Sequence, residues 1–329
     1  MFHIIAIGDP LIDTHVQIAD DCEKCELHKK KSDKLCFNYG EKIPIVDSFQ
    51  SLGGNAPNVA VGTVVLGMTS SLISSVGDDA YGHLALEELR QRGVDTKLVS
   101  IDKKNKTRYA IVLNYRGERT ILSYSEKKNY VWPKEMPGAN WIYYTGLSAG
   151  FEPMQEKLIS FLKKNQNTKL AVNPGSYILK YAVNKIKEII PLTDVLIVNA
   201  EEAARITGKK IKSEKDIEKC IYELLKLGAK EVVLTDGIRG SWAATKKEFW
   251  RLKSFPTKVV AKTGAGDAFS SAYIAAKFYG HDIKKALLWG TANSTSVIEQ
   301  HGPHDGLLDE KGIKKMINRF SDVRPQKNK

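Results

Sequence analysis

Short apolar runs recur along the chain, separated by stretches in which apolar residues fall three and four positions apart. IIAIG (4–8), SLISSVG (71–77), WIYYTGL (141–147), KLAVNP (169–174), VLIVN (195–199) and EVVLTDG (231–237) carry few charges. Continuous runs of this kind suit strands of a sheet buried on both faces. Between them PNVAVGTVVLG (57–67), YGHLALEELRQRG (81–93), PMQEKLISFLKKN (153–165) and SEKDIEKCIYELLKLG (213–228) have helical periodicity. Two further helices are predicted from Gly264 and from Asp282. Asn55 is placed to cap the first of these helices and Gly93 to end the second. Strand–helix alternation predicts an α/β fold with a largely parallel sheet.

Two segments break the alternation. TRYAIVLNYRGERTILSYS (107–125) reads as a hairpin turning at Arg116-Gly117. Residues 14–50 hold a polar, cysteine-bearing stretch and then EKIPIVDSF. Together these segments are predicted to form a small accessory sheet that covers a binding site.

Composition alters this picture little. The chain has 329 residues, 42% hydrophobic and 27% charged, as in a globular protein with a well-filled core. No apolar run reaches the roughly 18–20 residues of a membrane span, so no membrane partner is expected. The opening MFHIIAIGD reads as a first strand, and with only four cysteines the expected location is the cytoplasm. The net charge of +12 comes without any aromatic-interleaved basic block, so no specific nucleic-acid partner is expected. A basic surface suits anionic small molecules, nucleotides included.

The candidate chemistry is concentrated in a few loops. In SLGGNAPNVAVG, Gly53 and Gly54 permit close backbone approach, while Asn55 and Asn58 offer amides to the hydroxyls of a polyol. Asp13, after the first strand, would add a carboxylate able to bridge two hydroxyls. In KTGAGDAF, Thr263 and Gly264 to Gly266 precede the apolar helix FSSAYIAAKFYG and follow the strand-like VVAK. That is the context of a phosphate cradle built from free backbone amides at a helix start. A P-loop is excluded because Met68 stands where GTVVLGMT would need lysine, and no dinucleotide fingerprint is present.

VLIVNAEEAARITG sets Asn199 and Glu202 on one helix face, suited to magnesium held through water; an N-cap with first-turn acids explains the same residues. LTDGIRGSW supplies a glycine turn after another strand. Cys22, Cys25, His28 and Cys36 offer donors for a structural zinc ion. Their spacing matches no standard zinc pattern, so a reduced, partly buried cluster is the reading preferred here.

In their order along the chain these pieces resemble the ribokinase-like (PfkB) family of carbohydrate and nucleoside kinases, from Ile4 to about Leu308. GDPLID with Asp13 is similar to the family's first sugar-contacting segment, and LGGNAPNVAVG to its N-terminal glycine signature. VNAEEA supplies the N-x-x-E of Asn199 and Glu202; LTDGIRG is similar to the nucleotide loop through Thr235, Gly237 and Gly240. KTGAGDAFSSAYIAA matches the C-terminal signature, and GTANSTSVIEQHG, with Asn293, the helix and turn beside the adenine.

The resemblance implies one three-layer α/β/α domain over residues 1–329, with a mainly parallel central sheet and β-lid segments at 14–50 and 105–127. It implies ATP and Mg2+ as cofactors, a sugar or nucleoside acceptor, and a homodimer formed through the lid. Asp267 would be the general base, with Gly264, Ala265 and Gly266 steadying the transferred phosphoryl group. A sugar kinase is the expected activity; a nucleoside kinase and a catalytically silent sugar binder are the alternatives. Phe37, Tyr39 and Tyr109 are the residues that would stack on a base. The family commonly has an acid two residues before the TGAGD threonine, in a monovalent-cation site. Here that residue is Ala261, followed by Lys262, so strong activation by K+ is not expected.

Overall fold

The structure, a computed structural model, describes residues 1–28, 34–116 and 118–327. The chain opens with β1 (Phe2–Ile7), then leaves the main layer for β2 (Leu11–Ile18), β3 (Cys25–His28), β4 (Lys34–Phe37) and β5 (Ile45–Gly53). It returns through α1 (Asn55–Val65), β6 (Ser70–Gly77), α2 (Ala80–Gln91) and β7 (Val99–Asp102). A second departure forms β8 (Arg108–Tyr115) and β9 (Glu118–Tyr124). The main layer then continues with β10 (Ala139–Tyr144), α3 (Glu152–Lys164), β11 (Lys169–Val172), α4 (Ser176–Tyr181) and α5 (Val183–Ile189). After these come β12 (Val195–Asn199), α6 (Ala200–Thr207), α7 (Glu214–Lys226) and β13 (Glu231–Thr235). The chain ends with β14 (Ser241–Thr245), β15 (Phe249–Leu252), α8 (Ala265–Phe278), α9 (Ile283–Ile298), α10 (Glu310–Arg319) and β16 (Gln326–Lys327).

The ten-stranded main sheet has the order β16-β15-β14-β13-β12-β11-β10-β1-β6-β7. Its members from β13 to β7 run parallel, and β14 to β16 form an antiparallel edge. All six apolar runs lie in this sheet. Side chains alternate along each strand, so one strand feeds two cores. Ile4 and Ala6 join Phe269, Tyr273 and Trp289 on one face, under α1, α8 and α9. Ile5 and Ile7 join Leu158, Ile206 and Ile221 on the other, under α3, α6 and α7. The result is the expected three layers.

β14 and β15 do not show in the pattern, because each is short: SWAAT offers one large apolar residue, Trp242, among small and polar ones, FWRL carries a charge, and a lysine-rich turn separates them. The strand expected at Val259–Lys262 does not form. The amides of Val260 and Ala261 both donate to the carbonyl of Ile298 at the end of α9, which removes them from any ladder.

The two irregular segments do build a separate sheet, of order β5-β2-β8-β9. β8 and β9 are the predicted hairpin; Arg116 lies at its turn with φ 48°, and Gly117 falls outside the described residues. β3 and β4 extend from this sheet as a short antiparallel pair. The reduced cysteine cluster is corrected here. Cys22 and Cys25 are joined as a disulfide, because a tight turn, in which the amide of Cys25 donates to the Cys22 carbonyl, brings them together. Cys36 is exposed opposite Glu26 on the neighbouring strand, and the side chain of His28 lies outside the described residues. With two of its thiols bonded to each other, the alternative four-ligand zinc set is not assembled among the described residues. Asn55 is also corrected: Gly54 is the N-cap of α1, and Asn55 is its first helical residue.

Candidate active site

A parallel sheet leaves a crevice beyond the carboxyl ends of its strands. Asp9 follows β1 at this edge, Thr145 follows β10, Asn173 follows β11, and Asn199 and Thr235 end β12 and β13. Asn199 and Thr235 are register partners and stand side by side.

α1 and α8 bring a carboxylate and its support to the same edge. Asn58 is 6% exposed, and its Nδ2 donates to Asp267 Oδ2 at 2.7 Å. Burial pushes the Asp267 carboxyl up to about 7, while the Asn58 hydrogen bond pulls it down. Asp267 sits in the first turn of α8, where the amides of Ala265 and Gly266 have no intrahelical acceptor and no side chain caps them. Gly264 sets their direction with φ +79°, and a Cβ there would come within 2.5 Å of Pro303 Cβ. Neither the left-handed backbone nor the space admits a side chain.

Asn173, absent from the sequence reading, connects the rest. Its Oδ1 accepts from Asn55 Nδ2 at 3.1 Å and Thr145 Oγ1 at 3.3 Å; its Nδ2 donates to the Ile197 carbonyl at 3.0 Å and Glu202 Oε2 at 3.3 Å. Asn199 and Glu202 also hold each other. Asn199 Oδ1 accepts from the Glu202 amide, and Glu202 Oε2 from the Asn199 amide, each at 2.9 Å. This capping box is the N-cap alternative offered by the sequence, with Asn199 committed to the cap. Glu202 Oε1 makes no hydrogen bond among the described residues. Burial lifts the Glu202 carboxyl to about 7, the Asp267 charge adds to the rise, and the hydrogen bonds from Asn199 and Asn173 oppose it. The fully buried phenol of Tyr143 feels both carboxylates, which with burial raises its pKa well above the usual value.

Above the crevice, Asp13 projects from β2 beside the Gly53-Gly54 turn. A Cβ on Gly53 would lie 2.8 Å from Asp13 Oδ2, and one on Gly54, at φ +104°, would collide with the Asp9 carbonyl. Burial lifts the Asp13 carboxyl to about 6, against the charges of Arg108 and Arg119. Asp9, 1% exposed, is enclosed by Tyr130 Oη at 2.7 Å and by the Ser148 amide and hydroxyl at 3.0 and 2.6 Å.

Thr235 leads into a turn in which Gly237 and Gly240 have φ +49° and +99°, and Ile238 at its tip is 92% exposed. Asn293 lies behind this edge, beside the residue that follows Asp267. It is fully buried, its Nδ2 donates to the Ala268 carbonyl at 2.9 Å, and its Oδ1 accepts from the Leu308 amide at 2.9 Å. Its amide joins α8, α9 and the segment before α10, which corrects the expectation of an adenine contact. Tyr109 is likewise misplaced for stacking on an acceptor. It pairs with Ile12 while Asp13 pairs with Ala110, so it points to the opposite face, stacked between Tyr81 and Tyr124. Tyr39 is fully exposed, and Phe37 is 40% exposed.

The family model of the pfkB family carbohydrate kinases matches residues 28–310. The 5-dehydro-2-deoxygluconokinase of Halalkalibacterium halodurans is 25% identical, over 98% of this chain and 96% of its own. The ATP-dependent 6-phosphofructokinase of Thermoanaerobacterium thermosaccharolyticum is 26% identical, over 87% of this chain and 91% of its own. Among solved structures, Arabidopsis thaliana ribokinase complexed with ribose and ATP superposes with a TM-score of 0.78 at 22% identity, covering 96% of this chain and 98% of that one.

Proposed function

We propose that this chain, which belongs to the pfkB family of carbohydrate kinases, transfers the γ-phosphoryl group of ATP to a sugar hydroxyl with Asp267 as the general base. The observation that carries the reading is a partly buried carboxylate and uncapped helix amides within one turn of α8. The amides of Ala265 and Gly266 face charge that grows on the transferring group, and the helix dipole adds to them. Asp267, adjacent to them and oriented by Asn58, takes the proton of the attacking hydroxyl. A carboxyl held near neutrality by burial suits this role, because it is basic enough to accept a proton and still largely ionised above pH 7.

Asp13, Gly53 and Gly54 hold the acceptor from above, and the sheet that carries them acts as a lid. Asn58 acts on the acceptor through Asp267, and Asn55 through Asn173. Thr235, Gly237 and Gly240 line the nucleotide side, next to Asn199. Magnesium, when bound, neutralises phosphate charge. Glu202, with its unpartnered Oε1 and near-neutral carboxyl, is the residue here that suits a water-mediated contact to it. Exposed Phe49 and Ile121 on the Asp13 face of the lid sheet, and Leu122 on its other face, leave apolar surface at the lid that a second copy of the chain would cover. A nucleoside acceptor has less support, since Tyr109 stacks away from Asp13. A silent binder would have no use for a base held in this way.

The test is an ADP-release screen of sugars and nucleosides with magnesium-ATP, run beside Asp267→Asn. Turnover with at least one sugar that the substitution abolishes supports the assignment. Turnover that survives it removes Asp267 as the base, and turnover with nucleosides alone replaces the sugar acceptor.

A further inference from the structure

The lid face above Asp13 carries two cations that the protein leaves largely unanswered. Leu11 pairs with Arg108 and Asp13 with Ala110 between β2 and β8, and Asn114 pairs with Arg119 between β8 and β9. Paired residues share a face and alternate along a strand, so Asp13, Arg108 and Arg119 all project from one side. That side looks onto the TGAGD turn, because the Arg119 guanidinium donates to the Thr263 hydroxyl.

Arg108 is only 21% exposed, and its Nε is buried without a partner. The nearest carboxylate oxygen, Asp9 Oδ2, is 3.9 Å away and already accepts from Tyr130 and Ser148. Among the described residues the Arg108 guanidinium therefore makes no hydrogen bond, and Arg119 forms no ion pair. A guanidinium left this way in a partly desolvated cleft is a standing cost unless a ligand supplies the acceptors. Its planar fork matches a carboxylate or a phosphate better than it matches a neutral hydroxyl.

We propose that the sugar acceptor carries an anionic group, a carboxylate or a phosphate, received by Arg108 and Arg119 while Asp13 holds a hydroxyl beside it. This rests on the kinase reading above, and the experiment separates the two. Three acceptor sets are compared by kcat/KM with saturating magnesium-ATP: six-carbon sugar acids, hexose monophosphates, and neutral hexoses and pentoses. The expected result is a preference of about 100-fold or more for one anionic set, since a site built around charged donors rejects an analogue that lacks their partner. Preference for the acids assigns a carboxylate, and preference for the monophosphates a phosphate.

Arg108→Gln and Arg119→Gln should each raise the KM for that acceptor roughly 10-fold or more, leave the KM for ATP unchanged, and shrink the anionic preference. Arg108→Lys, which keeps the charge and loses the fork, should fall between Arg108→Gln and the parent. Arg119 lies at the surface, so its variant reads the effect without disturbing the interior. Neutral sugars used best, with turnover that depends on Asp267 but not on either arginine, would overturn the proposal and leave the kinase reading intact. No Asp267-dependent turnover in any set would overturn both.

Discussion

The crevice at the edge of the main sheet and the lid face above it treat their polar groups differently. In the crevice the protein supplies the partners: Asn58 holds Asp267, Asn173 joins Asn55 to Glu202, and Asn199 and Glu202 cap each other. On the lid, Arg108 has no hydrogen bond among the described residues and Arg119 has only a neutral hydroxyl. Groups that act on the reacting atoms must be in place before those atoms arrive, and internal hydrogen bonds accomplish that. Groups that recognise a ligand gain most when the ligand completes them.

The contrast yields predictions that differ in size. The largest is the loss of turnover in Asp267→Asn, about 10²–10⁴-fold in kcat by ADP release, with the KM for ATP little changed. Next is Glu202→Gln, which should weaken magnesium binding by about 10–100-fold, read as the Mg2+ concentration giving half-maximal rate. An unchanged requirement would reduce Glu202 to a helix cap.

A smaller effect concerns stability. The folded chain holds the Asp267 proton more tightly than the unfolded chain does, so ionising this group costs stability. The cost is absent below the ordinary value of 3.8, grows as pH rises toward about 7, and is constant above that. Asp267→Asn should therefore raise Tm by a few degrees at pH 8 and leave it near the parent value at pH 4. Equal shifts at both values would contradict a carboxyl lifted toward neutrality by desolvation. The smallest effect is that of potassium. With Ala261 where the family commonly has an acid, exchanging K+ for a bulky organic cation should change the kinase rate little.

Most of the fold was legible in the sequence because a parallel sheet buried on both faces writes its strands as uncharged runs. The antiparallel edge was not, since Ser241–Thr245 and Phe249–Leu252 are runs of five and four residues in which Trp242 stands among small or polar neighbours and Arg251 interrupts the apolar pattern. The residues contributed by loops with glycines, Gly53, Gly54 and Gly264, were legible from their spacing, and so was Asp267 beside them. Asn173 was not: a lone asparagine after a strand is ordinary, and its importance comes from contacts to residues 118 and 29 positions away. Arg108 was hidden for the same reason, inside a run that reads only as a hairpin. Asn293 differed in the other direction, because an amide on a helix looks the same in sequence whether it is free to meet a ligand or, as here, is engaged by the protein itself.

The central claim is that Asp267 is a base poised by burial and steadied by Asn58. The pH dependence of kcat/KM, compared between the parent and Asn58→Ala, tests it most directly. The parent should lose activity on the acid side with an apparent pKa of about 7. Because the Asn58 hydrogen bond favours the ionised carboxylate, Asn58→Ala should move that limb to higher pH. A limb that stays where it was, or no acid limb at all, would contradict the account.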